Sequence, residues 1–347
     1  MCATSPPFYG LRDYGTGSWE GGDPDCDHSP EQPEPIAYDN GQGESYTTNN
    51  QNWNKKGRTY AGNQCPKCGA RRVDQQIGLE ETPDQWVERL VAVFREVRRV
   101  LRDDGVLFVE IGDSYCANDA GKGRPNEGHV PNAWQHRDVD IRTKGGAALT
   151  PMKHPTKPKD LLGQPWLLAF ALRADGWWLR SEIIWARPNP MPESVTDRPT
   201  KAHSTVFLLS KQPRYFYDAD AIREPAKRAG DIPMGAHDRA KDGYTKPGWG
   251  HGEVPSHANA RSVWTLPTEP TPFAHFATWP QALVRRMILA GSPQGGTVLD
   301  PFAGSATTCL VARNTGRRSI GIELNEQYLH IAAKRLQQLS LLHEGTA

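Results

Sequence analysis

The sequence predicts an α/β fold, with a mostly parallel sheet and helices on both of its faces, and three stretches predict it. The first is Thr297-Val-Leu299, a short apolar run suited to a buried parallel strand. It leads into the small-residue turn Asp300-Pro-Phe-Ala-Gly-Ser-Ala-Thr-Thr308 and then a helix that ends near Gly316. The second is an apolar strand at 319–324, which carries Glu323 about 20 positions after the turn. The third is Trp86, Leu90, Phe94, Val97 and Leu101, recurring at helical spacing before the strand at 106–111. Free N–H groups at a helix start point at a ligand, and an acid one strand later grips ribose hydroxyls. Turn, spacing and acid together predict a nucleoside-type cofactor.

A chain of 347 residues buries a sizeable core, as one large domain with insertions or as two smaller ones. Its 41 Lys and Arg against 40 Asp and Glu leave a charge of +1, so a nucleic-acid partner has to be met by local patches. The 33 Gly and 29 Pro indicate much loop. No apolar run approaches the roughly 18–20 residues that span a bilayer, and the N-terminus lacks the pattern of a signal peptide. Cytoplasmic residence with free thiols is therefore expected, and no membrane partner.

In chain order, Ser5-Pro-Pro-Phe8 comes first. Two prolines fix two φ angles and remove two N–H donors, leaving carbonyls able to accept. A hydroxyl before them and a ring after them suit a flat group bearing an NH₂; a plain proline turn is the alternative. Residues 15–78 are polar and aperiodic. Within them Cys65-Pro-Lys-Cys-Gly69 sets two thiolates on one bend, and Cys26 and His28 supply two further ligands, so a structural zinc is expected. The basic residues Lys55, Lys56, Arg58, Lys67, Arg71 and Arg72 around the second half suit phosphates or bulk water alike.

Thr82 caps the first long helix, which Asp104-Gly105 ends. Asp113 follows the strand at 106–111, as a ligand-facing acid or a turn residue. Residues 117–160 read as a mobile loop rich in Lys and Arg. A helix at 165–174, strands at 177–186 and 204–210, and a short strand at 214–217 pairing as a hairpin come next. Residues 218–268 interleave basic and aromatic side chains, a pattern that suits nucleic acid. A helix at 281–290 delivers the chain to the glycine turn, and an amphipathic helix at 325–342 closes it.

Ser5-Pro-Pro-Phe8, Asp300-Pro-Phe-Ala-Gly-Ser305 and Gly321-Ile-Glu323 together resemble the DNA amino-methyltransferases. With the catalytic motif ahead of the cofactor motif, the order is similar to that superfamily's β class. The likeness extends over nearly the whole chain except the cysteine insert and the loops at 117–160 and 218–268. It implies a Rossmann-like S-adenosylmethionine-dependent methyltransferase fold and methyl transfer to the exocyclic amine of a base flipped out of double-stranded DNA. It implies that Ser5 and the Pro6 carbonyl accept from the target amine, that Pro7 stiffens the turn, and that Phe8 stacks on the base. Asp300, Phe302, Gly304 and Ser305 would shape the cofactor pocket, Glu323 would take the ribose hydroxyls, and Phe276, Thr278 and Pro280 would close over it.

Ser before the prolines is the pattern associated with N4 of cytosine, whereas Asp there is usual for N6 of adenine. The domains expected are the catalytic turn at 1–14, the cysteine-containing insert at 15–78, read from its own residues as zinc-binding, and the core at 79–217 with its loop at 117–160. A target-recognition region at 218–268 and a cofactor-binding part at 269–347 complete them. A restriction-endonuclease counterpart is an implied partner.

Two departures stand out. Ala306 occupies a position where the family has Gly, and a positive φ there would strain it. Only four residues precede Ser5, where a strand and its helix normally support the turn, so a start upstream of Met1 is expected. The competing readings are an inactive cofactor- and DNA-binding protein, a protein-glutamine methyltransferase, which carries Asn at the Ser5 position, and a nicotinamide dehydrogenase, which needs a fuller glycine fingerprint.

Overall fold

Apolar runs too short for helices collect here into one seven-stranded sheet. A computed structural model of the chain describes residues 1–10, 16–28, 64–80, 82–116, 159–226, 256–269 and 279–337, with the backbone of 38–39 and 44–45. The sheet strands are β1 (Cys2–Thr4), β2 (Val106–Ile111), β3 (Trp178–Ala186), β4 (His203–Ser210), β5 (Val263–Thr265), β6 (Thr297–Asp300) and β7 (Arg318–Gly321). Their order is β5-β3-β4-β2-β1-β6-β7. All neighbours are parallel except at β4, which runs antiparallel to both β2 and β3.

Alternation along the strands feeds two cores. Leu107, Val109 and Ile111 of β2 join Phe207 and Leu209 of β4 on one face. Val106 and Phe108 join Val206 and Leu208 on the other. Helices α1 (Pro83–Val100) and α2 (Gln164–Ala174) cover the first face with Trp86, Leu90, Phe94, Leu168 and Leu172. Helices α3 (Gln281–Gly291) and α4 (Thr307–Asn314) cover the second with Leu283, Met287, Ile288 and Val311. A last helix, α5 (Glu326–Gln337), packs behind α4. The start of α1 is local chemistry: the Thr82 hydroxyl accepts the Gln85 N–H at 3.2 Å and Pro83 opens the first turn. No helix among the described residues is long and apolar enough to cross a membrane.

The elements differ from the sequence expectation in three places. Three residues, Cys2–Thr4, suffice for a central strand, because parallel ladders to β2 and β6 hold both of its edges. Residues 214–217 form no strand: both edges of β4 are taken by β2 and β3, so no hairpin partner is left, and Phe216 instead donates its N–H to the Asp104 carbonyl. The strand expected at 319–324 ends at Gly321, where the chain curls over the glycine turn through Ala303 N–H to the Ile322 carbonyl. The short ribbon of Ser18–Glu20 with Arg71–Val73 stands apart from the sheet.

Candidate active site

Parallel strands place their carboxyl ends on one edge, where open α/β sheets bind ligands. Both motifs emerge there, from adjacent strands. The Ser5-Pro-Pro-Phe8 turn leaves β1 and the Asp300 turn leaves β6. The Thr4 hydroxyl donates to Asp300 Oδ1 at 2.7 Å, tying residues 296 positions apart. Asp300 is buried and also accepts from the Thr308 hydroxyl at 2.5 Å and the Phe302 N–H at 3.1 Å. Burial pushes its carboxyl up to about 6, while hydrogen bonds from Thr308, Thr4 and Phe302 pull it down.

Ser5 donates its hydroxyl proton to Glu110 Oε2 at 2.7 Å. With that proton committed, the oxygen has only lone pairs for an incoming group. Glu110 is 4% exposed, in the middle of the sheet. Burial pushes its carboxyl up; Ser5, Ser204 and the Arg187 charge draw it back.

The turn behind Ser5 is pinned from three directions. Trp86 of α1 donates its ring N–H to the Pro7 carbonyl at 2.9 Å. Gln164 of α2 accepts the Tyr9 N–H at 3.2 Å and donates to the Tyr9 carbonyl at 3.3 Å. Gly10 donates to the Gly78 carbonyl at 2.9 Å. No described group donates to the Pro6 carbonyl. The Phe8 ring lies against Gly112, where a Cβ would stand 2.7 Å from it.

On the β6 side, Glu323 accepts the Gly304 N–H at 2.7 Å and the Asn325 N–H at 2.8 Å. Gly304 and Ala306 both have left-handed φ, +52° and +61°. Ser305 faces backwards: buried Arg335 of α5 donates to its hydroxyl at 2.7 Å and to Thr307 Oγ1 at 3.2 Å. Pro280 caps the start of α3, and Phe276 and Thr278 lie outside the described residues.

Two motifs from opposite ends of the chain thus share one ligand edge, in a fold with one antiparallel strand. Residues 1–334 match the DNA methylase family of N6/N4 methyltransferases. The chain belongs to that DNA methylase family. It is 44% identical to the type II methyltransferase M.SmaI of Serratia marcescens over 75% of this chain and 77% of the relative. It is 43% identical to M.XycI of Xanthomonas campestris pv. cyanopsidis over 76% of each. Among solved structures, the cytosine-N4-specific PvuII DNA methyltransferase is 16% identical over 74% of this chain and 73% of its own, with a TM-score of 0.48. The chain is an S-adenosylmethionine-dependent DNA methyltransferase of the amino-methylating class.

In this methylase the four residues singled out as metal ligands come together. Donor atoms of Cys26, His28, Cys65 and Cys68 all lie within 4.8 Å of one another. The Cys26 and Cys65 sulfurs are 3.8 Å apart, and Cys68 Sγ is 3.5 Å from His28 Nδ1. Asp113 resolves as a turn residue: it accepts N–H groups of Ser114 at 3.0 Å and of Gln164 at 3.1 Å, capping α2.

Several working residues escaped the sequence reading. Glu110 left a signal, a lone acid in the otherwise apolar Val106–Ile111. Trp86 was legible as core but not as a donor to the turn. Gln164 and Arg335 left no signal, since their roles depend on which helix lies behind which loop.

Proposed function

We propose that this methylase transfers a methyl group to N4 of a cytosine flipped out of double-stranded DNA. The observation that carries the reading is the Ser5 hydroxyl, held at 2.7 Å by Glu110 and bound through its neighbour Thr4 to the Asp300 turn. A carboxylate at the position of Ser5 would fit adenine N6 by the family pattern, and this chain has serine there.

The donor set fits the cofactor. Glu323 is fixed by two backbone N–H groups and keeps carboxylate lone pairs for ribose hydroxyls. Ile322 and Leu324 beside it are 55% and 63% exposed, an apolar surface for a flat purine. Asp300, Phe302 and Gly304 would surround the methionine part, with Ser305 acting through its anchorage on Arg335, and Phe276, Thr278 and Pro280 closing over the cofactor. S-adenosylmethionine supplies an electrophilic methyl group when bound.

The chain's own residues orient the acceptor nitrogen. An exocyclic amine is a poor nucleophile because its lone pair is delocalised into the ring. The Ser5 oxygen and the Pro6 carbonyl accept its two protons and favour a pyramidal nitrogen whose lone pair faces the methyl group. After alkylation the nitrogen carries one proton too many. That proton passes to Ser5 Oγ as the Ser5 proton passes to the Glu110 carboxylate, and charge and proton count balance. The raised pKa of Glu110 suits it to hold that proton. Phe8 offers a stacking face for the flipped base.

A structural zinc held by Cys26, His28, Cys65 and Cys68 belongs to the same reading, as do target recognition by residues 218–268, cytoplasmic residence and a restriction-endonuclease counterpart. Kinetics test the central part. Ser5→Ala and Glu110→Gln should each lower kcat, Ser5→Ala by about 5- to 150-fold for a lost contact of about 1–3 kcal/mol. S-adenosylmethionine affinity should barely change. Full turnover in Ser5→Ala would overturn the assignment.

A further inference from the structure

The Cys26, His28, Cys65 and Cys68 cluster lies beside a ribbon that, among the described residues, pairs with no strand of the seven-stranded sheet, yet its chain runs on to the catalytic turn. A tetrahedral zinc with bonds of about 2.3 Å to sulfur and about 2.05 Å to nitrogen sets S···S near 3.8 Å and S···N near 3.6 Å. The Cys26–Cys65 and Cys68–His28 separations are 3.8 and 3.5 Å, with all four donor atoms within 4.8 Å of one another. The surroundings are built for thiolates. The His28 N–H points at Cys26 Sγ at 3.4 Å. At Gly22 a Cβ would meet Cys68 Sγ at 2.8 Å. Trp19 stacks on the His28 ring at 4.9 Å and fixes its plane.

From Cys68 the chain enters the ribbon strand Arg71–Val73 and then a clamped segment. Asp74 accepts from Thr16 at 2.8 Å and from the Gln76 N–H at 3.0 Å, and Gln76 is buried. Arg89 of α1 donates to the carbonyls of Gln75 at 2.5 Å and Gln76 at 3.0 Å, and to Glu80 at 2.8 Å. Gly78 then meets the catalytic turn: its carbonyl takes the Gly10 N–H, and a Cβ on it would lie 2.9 Å from the Phe8 carbonyl. Gly78 lies ten positions after Cys68, the last cluster cysteine.

We propose that zinc on this cluster holds the 74–80 segment in register and thereby positions the Phe8 turn, so that metal occupancy sets turnover and leaves cofactor binding alone. The proposal rests on the zinc reading above. Without the ion, three adjacent thiols and an imidazole have no common partner, the ribbon loses its closed end, and the Gly78 contact loosens. The Asp300 side stands on different strands and helices and is unaffected.

The test uses the full-length protein, purified with zinc and then stripped by a strong zinc chelator, beside a Cys68→Ser variant and a Cys68→His variant that keeps four ligands. Metal content, S-adenosylmethionine affinity, kcat and hydrogen exchange at residues 5–10 are read on each. Expected are one zinc per chain, and on its removal at least tenfold lower kcat and faster exchange at Gly10, with cofactor affinity unchanged within twofold. Added zinc and Cys68→His should restore both. Zinc that binds but whose removal leaves exchange and kcat unchanged overturns the coupling, and loss of cofactor binding along with activity overturns its locality. A protein that binds no zinc at all sinks the metal reading itself.

Discussion

Ala306 places a Cβ where the backbone is left-handed, φ +61° and ψ 37°, at the cap of α4. Its N–H donates to the Ala303 carbonyl at 2.7 Å and its carbonyl accepts from Leu310, so the geometry is locked without any ligand. The strain, roughly 1 kcal/mol for a non-glycine residue, is therefore present in the free protein. Ala306→Gly should raise the denaturant midpoint by an amount matching at most about 0.5 kcal/mol, since relief of positive φ is partly offset by glycine's extra unfolded entropy. The affinity for S-adenosylmethionine gains less, because these backbone hydrogen bonds already hold the turn in the free chain. A lower midpoint in the glycine variant would show that Ala306 is unstrained.

At the scale of elements, the Asp300 turn carries a pH-sensitive group. An unfolded aspartate titrates near 3.9, whereas burial raises Asp300 to about 6. Between those values the folded state keeps a proton that the unfolded state gives up, so this group's contribution to stability falls as pH rises from about 4 to 6. Stability of Asp300→Asn relative to the parent should accordingly improve across that window and level off above it. A difference that is flat with pH would place the titration elsewhere. The same turn shows what sequence can and cannot reveal. Its strand, glycine turn and acid were legible because they are contiguous. That the Thr4 hydroxyl would fasten it, and Arg335 would hold Ser305 from behind, was not, because those partners come from a strand and a helix with no fixed spacing to it. Cys2–Thr4 was too short to read as a strand for the same reason: both its ladders are long-range.

Across the whole molecule, β1 between β2 and β6 brings a motif at residue 5 beside one at residue 300, and alternation along β2 and β4 builds both cores. The cysteine cluster was legible as ligand types and then assembled by the ribbon at Ser18–Glu20 and Arg71–Val73. Charge behaves differently. A formal charge of +1 gives no global attraction to DNA, so phosphate contacts must come from local basic segments. DNA affinity should fall steeply with salt, and replacing Arg239 and Lys241, which lie outside the described residues, should lower the log–log slope by about 2. Salt-independent affinity would count against phosphate contacts altogether.

The central claim is the identity of the methylated atom. Incubating the protein with methyl-labelled S-adenosylmethionine and mixed-sequence double-stranded DNA, then digesting to nucleosides, reads it directly. The account predicts label in N4-methylcytosine, formed more slowly by Ser5→Ala; label in N6-methyladenine, or no label in DNA, would contradict it.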